Sequence, residues 1–202
     1  RLLHGLDELG HRRDTVVLFT SDHGEEFFEH GRCFHIRTLY REVVEVPLVV
    51  HVPGLEARRF AVPVPASVSV APTLLGIVGA RRRGVGGPTL VDVLRGKRWH
   101  SDFVVSETSS RFRQGRGSGH VRSATREGDK LVRWLSAAHS EYFDLSSDRS
   151  EARAVEPGDR GRALESSLAA WAADHGPQVS APAHGPLPGR LERKLRALGY
   201  VD

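Results

Sequence analysis

Methionine is absent from the 202 residues, and cysteine occurs once, at Cys33. A single thiol excludes an intrachain disulfide and a cysteine metal cluster. It accords with a reducing compartment without fixing one. No apolar run approaches the ~20 residues needed to cross a bilayer. Nor is Arg1-Leu2-Leu3-His4-Gly5-Leu6 followed by the apolar h-region of a signal peptide. With no Met at all, the expectation is that the chain is a piece of something longer, which leaves its compartment open. The 29 basic residues are scattered and lack interleaved aromatics at a repeating spacing, so no nucleic-acid partner is expected. What remains is the composition of a globular protein, 39% apolar and 27% charged, with a modest formal charge of +4.

The most informative stretch is Thr20-Ser21-Asp22-His23-Gly24-Glu25-Glu26. It follows the apolar run Val16-Val17-Leu18-Phe19, which reads as a short buried strand. A carboxylate and an imidazole thus stand side by side where a strand ends and a glycine lets the backbone turn. Ligands of open α/β sheets collect beyond the carboxyl ends of strands. Asp beside His at such an edge suits a divalent cation. The adjacent Glu25 and Glu26 point apart, so they are not read as an acid/base pair. They are expected to favour a helix N-terminus.

Leu2, Leu3, Leu6 and Leu9 fall at helical spacing closed by Gly10, ahead of a strand over 15–20. A second apolar run, Val43 to Val52, is broken by Pro47 and stopped by Pro53-Gly54. Ser69 is expected to cap a helix from about Ala71 to Gly79 with Pro72 in its first turn. Thr89 is expected to cap a short helix ending near Gly96. The second half changes rhythm: short strand-like pieces at 103–105, 121–125, 130–135 and 141–145 alternate with Gly, Ser and Asp, which suggests an antiparallel sheet. A helix is expected over 160–173 and a terminal one over 191–198, with a Pro/Gly-rich linker at 176–189. The basic run Arg111 to Arg116 reads as a solvated loop.

In this order, these segments resemble the C-terminal portion of a sulfatase, within the alkaline-phosphatase-like superfamily. Val16 to Glu26 with Glu29-His30-Gly31 is similar to that family's second metal-ligand segment, and Leu39-Tyr40-Arg41-Glu42 with Val46-Pro47-Leu48-Val49-Val50 to the strand after it. Ala71-Pro72-Thr73-Leu74-Leu75, then Tyr142-Phe143-Asp144-Leu145 with Asp148 and Glu151, and finally Leu195 to Tyr200 resemble later family elements. The resemblance implies an α/β fold: the end of an alkaline-phosphatase-like α/β sandwich over 1–98 and a small antiparallel-sheet plus helix subdomain over 99–175. Residues 176–202 would form a linker and terminal helix.

The resemblance further implies a metal-dependent sulfuric ester hydrolase acting on a small-molecule or glycan sulfate ester. Asp22 and His23 would be metal ligands. The cation of this branch is usually calcium beside an Asn; His at the second position favours zinc or manganese. His35, twelve residues before Pro47, would contact the sulfate or the leaving-group oxygen. Arg37 would help to bind substrate, and His30 would steady the metal loop. The nucleophile segment is missing, since Cys33-Phe34-His35-Ile36-Arg37 is not the family's Cys-x-Pro-x-Arg. The chain alone is therefore expected to be inactive. A phosphodiesterase, phosphonate hydrolase or phosphoglycerol transferase of the same superfamily, and a non-catalytic relative, are the alternatives.

Overall fold

Two separate sheets organise the described residues, and the larger is buried on both faces. The computed structural model describes residues 1–35, 38–99, 102–109, 120–175 and 189–197. Helix α1 (Leu2–Glu8) leads into strand β1 (Val17–Thr20). After a long loop come the one-turn helix α2 (Arg41–Val44) and strand β2 (Leu48–His51). Strands β1 and β2 pair antiparallel, with Phe19 opposite Val49. Both side chains are exposed, at 62% and 58%, so this ribbon presents an apolar face.

Helix α3 (Ala66–Ile77) corrects the expectation for Ser69. The helix starts before Ser69, which therefore lies inside it. Its hydroxyl is buried and has no hydrogen-bond partner among the described residues. Pro72 likewise falls in the helix interior rather than its first turn. No capping side chain marks the true start, which follows Pro65. Thr89 is not the cap expected of it: it stands one residue before Leu90, the N-cap of helix α4 (Val91–Leu94), though its hydroxyl accepts from the Val91 N–H (3.3 Å). The chain leaves that helix through Gly96 at φ 90°, in the left-handed region.

Strands β3 (Val104–Ser109), β4 (His120–Arg126), β5 (Asp129–Trp134) and β6 (His139–Asp144) form a meander in sequential order, as the alternation of the second half predicts. Successive side chains of a strand point to opposite faces, and here each face meets a different partner. Ala124, Leu131 and Tyr142 pack with Leu164 and Leu168 of helix α5 (Asp159–His175). Val121, Val132 and Phe143 pack instead with Leu39 and Tyr40, just ahead of α2. The sheet thereby joins the segment before β2 to α5.

The buried charged groups Arg122, Asp129 and Lys130 of the sheet are paired, whereas the buried Ser123 hydroxyl has no hydrogen-bond partner among the described residues. Asp129 accepts from Arg126 Nε (2.9 Å), from Arg160 and from the Tyr142 hydroxyl. Burial and that carboxylate push the Tyr142 phenol up to about 12. Helix α6 (Gly189–Ala197) is the terminal helix. The basic run 111–116, most of the linker at 176–189 and the end of the tail at 198–202 lie outside the described residues.

Candidate functional site

The site loop leaves the carboxyl end of β1 and is held against α2. Gly24 N–H donates to the Val43 carbonyl at 2.8 Å. A Cβ at Gly24 would lie 1.9 Å from the Glu42 carbonyl oxygen, so no side chain fits there. That close approach is why the Asp-His pair is followed by glycine. It places residues 22–24 against one turn of helix.

Asp22 is 82% exposed in its side chain. Its Oδ1 accepts from the His23 N–H at 3.0 Å. Backbone donation from His23 is the main reason its carboxyl sits below the ordinary aspartate value, which keeps it anionic at neutral pH. His23 Nδ1 lies 2.8 Å from the Gly24 carbonyl, which can only accept, so Nδ1 carries the proton. In the neutral ring Nε2 keeps its lone pair, and it stands 3.9 Å from Asp22 Oδ2. A histidine that donates one ring N–H to a carbonyl and presents the other nitrogen is the common form of a metal-ligating imidazole. These two donors could hold a divalent cation.

His35 is brought to the same place. Its ring stacks on His23, with centroids 3.8 Å apart and planes 22° apart. Nδ1 donates to the Glu25 carboxylate at 3.2 and 3.3 Å, which fixes the ring from one side. Asp22, His23, Glu25 and His35 thus form one cluster. Arg37 lies outside the described residues.

Glu25 and Glu26 stand in no helix N-terminus; the next helix begins at Arg41. Instead Glu25 serves His35, while Glu26 is fully buried and accepts from Arg32 N–H (3.0 Å) and the Thr38 hydroxyl (3.0 Å). The role of Glu26 has no local sequence signal, since its partners follow six and twelve residues later.

His30 lies deeper. Nδ1 is 2.7 Å from Glu42 Oε1 and Nε2 is 2.9 Å from the Glu151 carbonyl, with the ring stacked on Tyr40. Burial opposes a charge here, yet acceptance by the Glu151 carbonyl and by Glu42 raises its pKa above the ordinary histidine value. Glu26, His30 and Glu42 place donor atoms within 4.8 Å of one another. His30 and Glu42 already serve each other, His30 also serves the Glu151 carbonyl, and Glu26 serves Arg32 N–H and the Thr38 hydroxyl, so these atoms form a hydrogen-bonded hub.

Beneath it, Lys130 Nζ donates to both oxygens of Glu151 at 2.8 Å, and Arg41 N–H donates to Glu151 Oε2 at 3.0 Å. Lys130 and Glu151 are essentially inaccessible. Burial pushes the ammonium pKa down and the carboxyl pKa up, and the attraction between the two opposes both.

The described fold and this loop define a class, the alkaline-phosphatase-like α/β proteins. A structure solved with its substrate D-glucosamine-2-N,6-O-disulfate matches with a TM-score of 0.72 at 21% identity, over 91% of this chain and 39% of that one. A phosphonate monoester hydrolase from Silicibacter pomeroyi matches with a TM-score of 0.65 at 25% identity, over 87% of this chain and 37% of that one. Within the class, residues 1–80 match the Sulfatase family model. Arylsulfatase K of Mus musculus is 42% identical over 77 residues, 38% of this chain and 13% of that protein. The chain spans well under half the length of each of these proteins, and its fold corresponds to the C-terminal part of the solved ones.

Proposed function

We propose that this chain carries the downstream half of a sulfatase active site, in a parent protein that hydrolyses a small-molecule or glycan sulfate ester. One observation carries the reading: His23 presents Nε2 beside the Asp22 carboxylate, with His35 stacked on it, inside a segment that matches the sulfatase family. Asp22 and His23 bind one divalent cation. Such a cation, when bound, neutralises the ester oxygens and favours the ionised nucleophile. His35, oriented by Glu25, contacts the sulfate and gives a proton to the departing alkoxide as the S–O bond breaks. Arg37 adds positive charge for the sulfate, and His30 steadies the loop. The nucleophile comes from outside these 202 residues.

The exposed Phe19–Val49 pair supports a further part of the reading, that residues 1–98 complete a larger α/β domain and 99–175 form an appended subdomain. The 202-residue chain alone then turns over no aryl sulfate. Mn2+ titration followed by electron paramagnetic resonance tests the metal pair. Wild type sequesters Mn2+, and Asp22→Ala and His23→Ala each lose that binding. Equal binding by all three chains contradicts the assignment.

A second reading keeps the architecture and changes the ester to a phosphonate or phosphate. It is supported by the likeness to the phosphonate monoester hydrolase and by His rather than Asn beside Asp22. In the longer parent, an upstream Cys-x-Pro-x-Arg would favour the sulfate ester and a lone Thr the phosphoryl one.

A further inference from the structure

The loop with Asp22 and His23 is tied to the four-stranded sheet by a continuous set of buried contacts that converge on one residue. Glu151 follows β6 in a loop held by its own carboxylates. Asp144 accepts from Ser146 N–H (3.0 Å), and Asp148 accepts from Ser150 Oγ (2.8 Å) and Arg153 N–H (2.9 Å). This loop turns Glu151 inward at φ 58°, a left-handed conformation that a side-chain-bearing residue adopts only when its surroundings demand it. From there its carboxylate takes Lys130 of β5 and the Arg41 N–H of α2, while its carbonyl takes His30. His30 reaches Glu42 on the same helix turn. Helix α2 in turn meets Gly24 through the Val43 carbonyl, with no room for a side chain between them. Every connection from β5 to His23 is therefore a hydrogen bond or a backbone contact.

We propose that Glu151 is a positioning residue for the metal pair, the point at which the small sheet sets where α2, and through it Asp22 and His23, stand. This rests on the reading of Asp22 and His23 as ligands. A buried Lys–Glu pair needs no such wiring to be stable, because two apolar residues of similar volume serve as well. The distinguishing feature is the third donor, Arg41 N–H, which transfers the register of the loop after β6 to α2.

Two neutral double variants of the 202-residue chain isolate that contact. Lys130→Met with Glu151→Gln removes both charges and leaves an oxygen for Arg41 N–H. Lys130→Met with Glu151→Leu removes the charges and the acceptor. Histidine ring NMR of the metal-free chains reads the His23–His35 stack directly, and Mn2+ titration reads the ligand pair.

The Gln variant should keep the wild-type His23 and His35 signals and stay within about twofold of wild-type affinity, whereas the Leu variant should shift both signals and bind about tenfold more weakly. Ring signals that stay put in both variants, or move equally in both, overturn the proposal. If wild type binds no Mn2+, the metal reading fails, while the ring signals still decide whether Glu151 positions the loop. Should the Leu variant not fold, Arg41→Pro, which removes the N–H at the first position of α2 and leaves the ion pair intact, takes its place. Unchanged His23 and His35 signals in that variant overturn the proposal as well.

Discussion

The site loop and the four-stranded sheet divide the work of this chain in opposite ways. The sheet is regular, alternating and buried on both faces, with apolar clusters against α5 and against Leu39–Tyr40. Residues 21–35 are irregular, carry the exposed Asp22, and take their form from hydrogen bonds to glycines, carboxylates and α2. One region is held by apolar area, the other by a small number of directional contacts. Substitutions in the sheet should therefore change stability first, and substitutions in the loop should change the site at modest cost. Residues between the two should do both.

The largest effect is expected at that junction. Glu151→Ala strands the Lys130 ammonium in the interior and should cost about 3–5 kcal/mol, read as a fall in the urea midpoint. Leu164→Ala, in the α5 cluster, should cost about 2–5 kcal/mol and leave the His23 and His35 ring signals in place. Displacement of those signals by Leu164→Ala would break the separation between sheet and site. Gly24→Ala should do the reverse. Relief of a 1.9 Å clash by a shifted loop costs about 1–3 kcal/mol, yet the ring signals should move and Mn2+ binding should be lost.

The smallest effect is a pH dependence at His30. Its pKa is raised in the folded chain, so the stabilisation is complete below the ordinary histidine value of about 6.5. It is lost as pH rises through the higher folded value. Urea midpoints should fall across that window in wild type, and His30→Gln should remove that part of the slope. A wild-type midpoint that rises with pH over the same range would contradict this.

The two regions also differ in how far they were legible in the sequence. The meander followed from period-2 alternation interrupted by Gly, Ser and Asp, because that pattern maps directly onto faces and turns. An apolar strand ending in Asp-His-Gly marked where the site loop begins, although β1 is not the buried strand expected: none of its residues is buried and Phe19 is 62% exposed. The start of α3 was not, since no side chain caps it and Ser69 offered a false signal from within the helix. Nor was the hub. Glu26, Lys130 and Glu151 look like surface residues in a sequence, and only long-range pairing makes their burial tolerable. His35 resembled a substrate contact, but its stacking on His23 and its bond to Glu25 depend on a loop path that spacing does not encode.

The central claim is that Asp22 and His23 form the cation site, while Glu26, His30 and Glu42 form a hydrogen-bonded hub. Crystals of the chain soaked in Mn2+ test it most directly, through anomalous scattering at the manganese edge. The expected map has a peak touching Asp22 Oδ2 and His23 Nε2 and none within the hub. A peak among Glu26, His30 and Glu42, with nothing at Asp22 and His23, would contradict it.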